Sequence, residues 1–446
     1  MRAKSFNLTI LNKIRPFNKK INVDSDKSMS IRSLLIGSIS QGISSVNNIL
    51  ESDDVYSTIR CLKKLGIKIK KKDKKYLIYG KGLGSLFAKK NLKLNFGNSG
   101  TLARLLIGII STTPGLELNV QGDHSLNKRS MKKLIDLMSK FGATFLPRNK
   151  TKFPLNIIST EMPIGINYSA GVSAQLKSAV ILAGLNSFGV TTIYEKKKSR
   201  DHTENMLLDN NKVIKIKKRE TKVIKVFGKK KLKSFNIDVP GDPSSAAFFT
   251  ALTLLSKNSS LVIKKVGLNS RRIGFYELLK KSGAKIKFKN VKKRKNEILG
   301  DIHVRSSIIK PIKAGKEYYV KSTDEYPILF VIAALTSGVS KFNGISDLVN
   351  KESNRLIEMQ KVLKQANIKS VISRDEIKIF GKNTINEKKK IKVPNLGDHR
   401  ICMSALIFSL LTGIKAEIKN FETVYTSAPS FLKLVNFLGG KFKTQK

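Results

Sequence analysis

The chain has 446 residues and 41% hydrophobic content, which is enough for two or three domains with cores of their own. Its two cysteines, Cys61 and Cys402, exclude a disulfide framework and a cysteine-rich metal site, and they favour a reducing, cytoplasmic setting. No apolar run reaches the roughly 18–20 residues of a bilayer-spanning helix, and the N-terminus lacks the apolar stretch of a signal peptide. We therefore expect neither secretion nor a membrane anchor.

The formal net charge is +53, from 85 Lys plus Arg against 32 Asp plus Glu. The excess lysine is spread from Lys4 to Lys446 in small clusters such as Lys196–Lys198, Lys229–Lys231 and Lys388–Lys390. These clusters lack the interleaved aromatic residues on which single-stranded nucleic acids stack. We interpret the charge as a solvated surface with a weak, salt-sensitive attraction to polyanions, and a dedicated RNA-binding site is the alternative. Such a field would also attract an anionic substrate.

Six short polar phrases stand directly before apolar helical stretches and recur at intervals of roughly 70–80 residues, a spacing that indicates an internal structural repeat. In chain order the phrases are Lys27–Arg32, Asn98–Arg104, Ser173–Gln175, Gly241–Ser245, Asp324–Pro327 and Asp398–Arg400. Each predicts a strand, a turn and the start of a helix. Because helix N-termini carry unpaired N–H groups and partial positive charge, we expect several of them to gather around an anionic small molecule.

Strands and helices alternate along the whole chain. Tyr76–Tyr79 and Leu116–Val120 are predicted strands, and Arg129–Phe141 is a predicted amphipathic helix. The apolar runs that follow four of the phrases are predicted to be buried helices: Leu102–Ser111, Ala246–Leu255, Tyr326–Leu335 and Ile401–Ile414.

The chain is predicted to form two pseudo-equivalent domains. Lys212–Ser234 alternates apolar and basic residues, which predicts a surface hairpin, and three phrases lie on either side of it. The predicted domains are residues 22–237 and a discontinuous domain of residues 1–21 plus 238–446. Leu8–Ile21 precedes the first phrase and is expected to supply a strand to the discontinuous domain. Because ligands favour clefts between domains, the site is expected where the two sets of helix starts face each other.

Lys27, Ser28 and Arg32 stand within six residues at a predicted helix start and could form an oxyanion cradle. An N-capping Ser28 with solvated charges is the plainer alternative. Gly100 would let the backbone approach a ligand closely. Ser173 and Gln175 offer a hydroxyl and an amide, although Ser173 could equally be a cap.

The carboxylates have two interpretations as well. Asp324 could cap the apolar helix that follows it. Lys351 and Arg355 are four residues apart, which predicts one helical face with Glu352 beside them, either a site or an ordinary charged turn. Beside Arg400, His399 is expected to be a structural hydrogen-bonding group. The sequence contains no Walker loop, dinucleotide fingerprint or nucleophile elbow.

Taken together, these phrases resemble the 5-enolpyruvylshikimate-3-phosphate synthase family (3-phosphoshikimate 1-carboxyvinyltransferases), in the branch called class II. The resemblance covers nearly the whole chain, and its phrases occur in the family's order: Asp26–Arg32, Gly97–Thr101, Ser173–Ala179, Ser199–Glu204, Val239–Phe248, Asp324–Pro327 and Lys351–Arg355.

The resemblance implies a mixed α/β (α+β) enolpyruvyl transferase fold of two pseudo-symmetric domains, each built from three βαβαββ units. It also implies transfer of the enolpyruvyl group of phosphoenolpyruvate to the 5-hydroxyl of shikimate 3-phosphate. Phosphate leaves by addition and elimination through a tetrahedral intermediate. A monomeric cytoplasmic enzyme of the shikimate pathway is implied, with no metal, no organic cofactor, no membrane and no specific nucleic acid partner.

By resemblance, two sets of residues bind the substrates. Shikimate 3-phosphate is expected to contact Lys27, Ser28, Arg32, Ser173, Ala174, Gln175, Arg200, Asp324 and Lys351. Phosphoenolpyruvate is expected to contact Lys27, Gly100, Arg129, Gln175, Arg355 and Arg400. The implied catalytic residues are Asp324 as the base towards the hydroxyl, Glu352 as the proton carrier at the methylene, Lys351 on the hydroxyl side, and Lys27.

This chain departs from the family pattern in three places. Asp24-Ser25 replaces the usual Pro-Gly, Ser130 replaces the Pro after Arg129, and Ala428 replaces an aromatic residue. We expect these changes to affect substrate affinity, with Arg129 on a looser loop, and not the reaction. Gly100 leaves room that an alanine methyl would fill, which predicts sensitivity to glyphosate.

Related enzymes fit less well. The enolpyruvyl transferase that acts on UDP-N-acetylglucosamine carries a mobile-loop cysteine near the position of Gly122–Arg129, where this chain has none. RNA 3′-phosphate cyclases use a covalent histidine, and none of the four histidines stands in such a setting: His124, His202, His303 and His399.

Overall fold

The computed structural model describes residues 5–210, 212–217, 220–383, 385 and 389–445. Lys4, Lys388 and Lys446 of the dispersed lysines lie outside the described residues. The chain divides into two compact units. Met1–Asp24 together with Pro240–Lys446 form the first, called the split unit, and Ser25–Val239 form the second, called the inserted unit.

The chain starts in the split unit with two strands, β1 (Asn7–Ile10) and β2 (Asn18–Ile21). The inserted unit contains the strands β3 (Gln41–Asn47), β4 (Lys68–Lys72), β5 (Lys75–Lys81), β6 (Leu92–Asn95), β7 (Glu117–Gln121), β8 (Thr144–Leu146), β9 (Leu155–Ile158), β10 (Asn167–Ala170), β11 (Val190–Glu195), β12 (Ile214–Lys217), β13 (Lys222–Phe227) and β14 (Asn236–Asp238). Its helices are α1 (Lys27–Ile39), α2 (Asp53–Lys64), α3 (Gly100–Ser111), α4 (His124–Lys128), α5 (Lys132–Lys140), α6 (Ala174–Leu185) and α7 (His202–Leu207).

The chain then returns to the split unit. Its further strands are β15 (Ser260–Gly267), β16 (Lys285–Arg294), β17 (Glu297–Arg305), β18 (Lys313–Ala314), β19 (Gly338–Asn343), β20 (Lys369–Ser373), β21 (Glu376–Gly381), β22 (Lys390–Val393), β23 (Lys415–Ile418) and β24 (Phe442–Gln445). Its helices are α8 (Pro243–Leu255), α9 (Gly274–Lys281), α10 (Lys316–Ser322), α11 (Tyr326–Ala334), α12 (Arg355–Gln365), α13 (His399–Thr412) and α14 (Phe431–Phe437), with short 3₁₀ helices at Ser346–Asn350 and Phe421–Thr426.

The sheets show the predicted repeat. In the described residues the strands form six sheets of four, in the orders β14-β3-β5-β4, β6-β7-β9-β8, β10-β11-β13-β12, β16-β17-β15-β2, β18-β19-β21-β20 and β22-β23-β1-β24. Every sheet combines one parallel pair with two antiparallel pairs. A parallel pair needs a crossover helix and an antiparallel pair needs only a turn, so the pattern is that of a repeated βαβαββ unit. The predicted mixed fold of repeated units is confirmed.

The N-terminal segment contributes to two sheets of the split unit. Strand β2 runs parallel to β15, from Asn18 beside Ser260 to Ile21 beside Ile263. Strand β1 lies antiparallel between β23 and β24. The residues before the first phrase therefore supply two strands, where the sequence predicted one.

Each unit is built around buried helices that begin at the polar phrases. In the inserted unit these are α1, α3 and α6, and in the split unit they are α8, α11 and α13. Such helices are apolar on all sides because they are covered on all sides. Close packing requires Gly108 on α3, since a Cβ there would lie 2.6 Å from the carbonyl oxygen of Ala179 on α6. The prediction of buried helices is confirmed, and none of the described helices has the length and apolarity needed to cross a bilayer.

Two local predictions need correction. The expected helix at Arg129–Phe141 begins only at Lys132, because Arg129 adopts an extended conformation at the end of α4. The expected hairpin forms from β12 and β13, with Ile216 beside Ile224. However, β13 also pairs with β11, so it lies inside its sheet and not at the surface edge.

Candidate active site

Acidic or hydroxyl side chains cap most of the helices that begin at the phrases. Side chains accept a backbone N–H at the starts of α1, α3, α6, α8 and α13, and these caps are Asp26, Ser99, Ser173, Asp242 and Asp398. The cap of α1 is thus Asp26, and the interpretation of Ser28 as a cap is wrong. Glu325 occupies the cap position of α11, so Asp324 precedes it and is not the cap. The structure therefore removes the plainer explanation for both Ser28 and Asp324.

The inserted unit holds the first group of residues, called the cationic cluster. It consists of Arg104 and of the predicted site residues of this unit: Lys27, Ser28, Arg32, Gly100, Arg129, Ser173, Ala174, Gln175 and Arg200. Arg32 is almost completely buried, at 3% exposure. Its Nη1 donates to Ser28 Oγ at 2.5 Å, and its Nε donates to Thr203 Oγ1 at 2.9 Å. Its Nη2 donates to Ser178 Oγ at 3.1 Å. Hydroxyl groups from α1, α6 and α7 therefore orient this guanidinium.

A second set of contacts links α3 to α6. Gln175 Nε2 donates to Thr101 Oγ1 at 3.0 Å, and Gln175 Oε1 accepts from Arg104 Nη1 at 3.0 Å. Arg104 Nη1 also donates to the carbonyl oxygen of Gly100 at 3.1 Å. A Cβ at Gly100 would lie 2.7 Å from Arg104 Nη1 and 3.2 Å from Arg129 Nη1. The space that Gly100 leaves is therefore occupied by two guanidinium groups.

Arg129 is well anchored. Its Nη2 donates to Asn98 Oδ1 at 2.6 Å and to Ser125 Oγ at 3.2 Å. Although Ser130 replaces a family proline, these two bonds hold the Arg129 side chain, and the looser loop at Arg129 stays a prediction.

Lys27 is the first residue of α1 and forms an ion pair with Asp54 near the start of α2, with Nζ and Oδ2 3.0 Å apart. Ser173 and Ala174 lie at the start of α6, where Ser173 Oγ accepts from the backbone N–H of Leu176. Arg200 is half-buried in the turn that precedes α7. The contacts thus join Arg32 with Ser28, and Gly100 with Arg129 and Gln175, while Lys27 is placed by Asp54.

The split unit holds the second group, called the carboxylate cluster: Asp324, Lys351, Glu352, Arg355, Asp398 and Arg400. At its centre Arg355 is 1% exposed. Its Nε donates to Asp398 Oδ2 at 2.9 Å and its Nη2 to Asp398 Oδ1 at 3.2 Å, the bidentate geometry of strong arginine–carboxylate pairs. Its Nη2 also donates to Glu352 Oε2 at 2.6 Å, and its Nη1 lies 3.7 Å from Asp324 Oδ1.

These contacts fix the charge of Arg355. Burial opposes the charged form, but the negative charges of Asp398, Glu352 and Asp324 outweigh it and raise the pKa of Arg355 above its usual range. Two carboxylates from separate segments, Asp324 and Glu352, therefore converge on one permanently charged guanidinium.

Lys351 lies outside helix α12, because that helix begins only at Arg355. The expectation that Lys351 and Arg355 share a helical face is therefore wrong. Lys351 follows a 3₁₀ helix, and its Nζ bonds Asp347 Oδ2 at 2.6 Å. Tyr319 also donates its hydroxyl to Asp347 Oδ2, at 2.9 Å. Burial would raise the pKa of Asp347, but the charge of Lys351 and these hydrogen bonds lower it overall.

Arg400 and His399 begin helix α13 and are both buried. The guanidinium carbon of Arg400 lies 5.7 Å from the ring centre of Phe248, a cation–π distance. Asp398 accepts the backbone N–H of Arg400 at 2.9 Å while binding Arg355. One carboxylate thus orders both arginines of this cluster.

Sequence reasoning missed four residues that hold the clusters together: Asp54, Arg104, Asp347 and Asp398. Arg104 and Asp398 stand inside the phrases Asn98–Arg104 and Asp398–Arg400. Asp54 and Asp347 are 27 and 4 residues away from the lysines that they bind. No local signal could have selected Asp54, whereas the spacing of Asp347 and Lys351 is that of a helical ion pair.

Comparison with known proteins shows which family the chain resembles. A family model described as EPSP synthase (3-phosphoshikimate 1-carboxyvinyltransferase) matches residues 11–434. The chain is 37% identical over 423 residues to the 3-phosphoshikimate 1-carboxyvinyltransferase of Paramagnetospirillum magneticum, and the match covers 94% of both chains. It is 36% identical over 431 residues to that of Bacillus subtilis, covering 96% of this chain and 99% of the relative.

A solved structure of EPSP synthase from Acinetobacter baumannii matches with a TM-score of 0.85 and 34% identity, covering 99% of this chain and 100% of that chain. Similarity of sequence and of fold thus extends over nearly the full length of both chains. The chain therefore belongs to the EPSP synthase family, the transferases that move the enolpyruvyl group of phosphoenolpyruvate to shikimate 3-phosphate in aromatic amino acid biosynthesis.

Proposed function

We propose that the two clusters have different tasks in this transfer. Both substrates carry a carboxylate and a phosphate, so several negative charges must be neutralised. The cationic cluster supplies that charge for shikimate 3-phosphate through Lys27, Ser28, Arg32, Ser173, Ala174, Gln175 and Arg200. Gly100, Arg129 and Gln175 of the same unit, with Lys27, serve phosphoenolpyruvate.

The carboxylate cluster supplies the acid and base. Addition requires a base for the attacking 5-hydroxyl and an acid that protonates the enol methylene, and elimination reverses both transfers as phosphate leaves. Asp324 is the proposed base, with Lys351 beside the hydroxyl as a further contact for shikimate 3-phosphate. Glu352 is the proposed proton carrier at the methylene. Arg355 and Arg400 bind phosphoenolpyruvate and, with Lys27, stabilise the charged tetrahedral intermediate.

One observation carries these assignments: Asp324 and Glu352 come from separate segments and meet the same buried guanidinium, at 3.7 Å and 2.6 Å. A cation between two carboxylates offsets their mutual repulsion and favours the ionised form, in which a carboxylate can accept a proton. Surface ion pairs are formed by exposed side chains and contribute little to stability. The arginine of this cluster is fully buried, so the cluster is not an ordinary surface ion pair.

We also propose that the split and inserted units are the two domains of a monomeric cytoplasmic enzyme that needs no metal or organic cofactor. The full-length match to single-chain relatives supports this proposal.

The test is release of phosphate from phosphoenolpyruvate, measured with and without shikimate 3-phosphate. We expect release only when both are present, and an unchanged rate after treatment with a chelator. UDP-N-acetylglucosamine is the matched alternative acceptor and is expected to give no phosphate. Release that is independent of shikimate 3-phosphate, or that follows UDP-N-acetylglucosamine, would contradict the proposal.

A further inference from the structure

A buried group of four charged side chains lies in the inserted unit and has no role in the reaction as described. It consists of Lys177, Glu195, Glu204 and Lys222, and we call it the buried quartet. Lys177 Nζ lies 2.6 Å from Glu195 Oε1 and 2.7 Å from Glu204 Oε1. Lys222 Nζ lies 3.3 Å from Glu195 Oε2 and 3.1 Å from Glu204 Oε1. Side-chain exposure is at most 9%, so the quartet is shielded from water.

All four contacts point to ionised groups. Burial would raise the pKa of both glutamates, but Lys177 and Lys222 lower the pKa of Glu195 and of Glu204 below the usual value. Two lysines and two glutamates give a formal charge of zero. Replacing buried ion pairs with apolar residues of similar volume is often neutral or stabilising, so folding stability alone does not explain this arrangement.

The quartet holds the turn that carries Arg200. Glu195, the last residue of β11, accepts the backbone N–H of Ser199 at 2.9 Å and the Ser199 hydroxyl at 2.7 Å. Ser199 directly precedes Arg200. The position of the turn therefore depends on the orientation of the Glu195 carboxylate, which Lys177 and Lys222 determine.

The quartet also adjoins the groups that hold Arg32. Lys177 and Glu204 are the sequence neighbours of Ser178 and Thr203, whose hydroxyls accept from Arg32 at 3.1 Å and 2.9 Å. Thr203 donates its own hydroxyl to Ser178 Oγ at 2.8 Å. The ion pair of Lys177 with Glu204 thus joins α6 to α7 at the level where both helices meet the guanidinium.

We propose that the buried quartet is a positioning network that sets Arg32 and Arg200 for the ring carboxylate and phosphate of shikimate 3-phosphate. It acts through Ser178, Thr203 and Ser199 and does not touch the substrate. The proposal rests on the proposed function. It assigns the quartet to the affinity for one substrate and not the other, because Arg104 and Arg129 are held by different partners.

The main test is the charge-balanced double variant Lys177→Met/Glu204→Gln, which removes one charge of each sign and leaves Lys222 beside Glu195. We expect the KM for shikimate 3-phosphate to rise at least about tenfold, with kcat and the KM for phosphoenolpyruvate within about twofold of wild type. A raised KM for one substrate with unchanged kcat is expected when only the binding of that substrate is weakened. A general loss of structure instead lowers kcat and changes both KM values. Calorimetric binding of shikimate 3-phosphate alone is expected to weaken in parallel.

Two further variants keep the test decisive. Thr203→Val replaces the hydroxyl by a methyl group of similar volume and leaves the quartet intact, so it tests the same route to Arg32 if the double variant does not fold. We expect its KM for shikimate 3-phosphate to rise about fivefold. Lys321→Met/Glu277→Gln is the matched control, because it removes an ion pair of 3.0 Å from the split unit, and both of its KM values are expected to stay unchanged.

Unchanged affinity for shikimate 3-phosphate in folded variants, or an equal rise in both KM values, would overturn the positioning role. A wild-type protein without phosphate release that depends on shikimate 3-phosphate would instead overturn the proposed function.

Discussion

The two arginines Arg32 and Arg355 are buried to nearly the same extent, yet their surroundings differ. Arg32 of the inserted unit meets hydroxyl groups, and Arg355 of the split unit meets carboxylates. Hydroxyl oxygens orient a guanidinium and carry no charge of their own. Carboxylates compensate the charge, and the arginine in turn holds them in place. The comparison teaches that one unit is arranged to bind anions and the other to hold acids and bases.

This difference predicts different kinetic effects for the two clusters. Changes in the carboxylate cluster are expected to lower kcat, and changes in the cationic cluster are expected to raise KM.

The largest effect is expected for Asp324→Asn, which removes the proposed base and keeps the shape of the side chain. Turnover is expected to fall by about 10²–10⁴-fold, the usual contribution of general acid–base catalysis. Steady-state phosphate release measures it, and a melting curve checks that the variant is folded. The control is Asp73→Asn, in an exposed turn where Asn tolerates the positive φ of 53°. Turnover like that of wild type would remove Asp324 from the mechanism.

Gly100→Ala is expected to raise the KM for phosphoenolpyruvate about tenfold with little change in kcat, because the added methyl displaces Arg104 and Arg129. We still predict that glyphosate inhibits the wild-type protein at millimolar concentration. Because the added methyl displaces the same two guanidinium groups, inhibition by glyphosate is expected to be weaker in this variant. Initial rates at varied phosphoenolpyruvate give both quantities. Gly267→Ala is the control, since its Cβ would meet Pro240 at an ordinary 3.4 Å. An unaltered KM would show that the two guanidinium groups do not bind this substrate.

Asp54→Asn is expected to raise the KM of both substrates about fivefold, because Lys27 loses the ion pair that orients it and is expected to touch both. Asp53→Asn makes the same change of charge one residue earlier in α2 and is expected to leave both KM values alone. Initial rates measured with each substrate varied in turn give the KM of shikimate 3-phosphate and the KM of phosphoenolpyruvate for both variants. A fall in kcat without any rise in KM would contradict the assignment of the cationic cluster to substrate binding.

The smallest effect concerns stability. Asp24 of the split unit has a raised pKa, because it is buried and lies near Asp242, although the N–H of Ser430 donates to it and works against the rise. A raised pKa in the folded state means that ionised Asp24 destabilises the fold at neutral pH. Asp24→Asn is therefore expected to raise Tm at pH 7 by a few degrees at most, about 1 kcal/mol.

That gain is expected to shrink as the pH falls through the raised pKa of Asp24 and to vanish below the ordinary carboxyl pKa of 3.8, where Asp24 is protonated in both the folded and the unfolded state. Thermal melts over this pH range check it. The exposed Asp136→Asn serves as the control, and a gain that does not depend on pH would contradict the assignment.

Much of the architecture could be predicted from local pattern. The six phrases identified helix starts correctly because capping side chains and the apolar stretches behind them are close in sequence. The family resemblance also identified most residues of the two clusters, although not Arg104 or Asp398. The spacing of the phrases predicted an internal repeat, and the family resemblance implied its βαβαββ form.

The hydrogen-bond and ion-pair partners of these side chains could not be predicted in the same way. Ser28 and Asp26 are both good caps, and only the fold selects Asp26 and turns the Ser28 hydroxyl to Arg32. The spacing predicts Lys351 on the helix of Arg355, but Asn354 caps that helix through its side chain and the helix begins at Arg355.

The sequence by itself determined which helix starts exist, which charges stand beside them and which reaction family they serve, because caps, apolar periodicity and motif residues act within a few positions. Tertiary structure alone decided that Arg32 would meet hydroxyls, that Arg355 would meet carboxylates, and that Lys177 and Lys222 would be buried with Glu195 and Glu204. Many of those pairings join separate segments, such as Arg32 with Ser178 and Thr203 or Arg355 with Asp398, and a buried charge takes its partner from whichever segment the packing brings within hydrogen-bond reach.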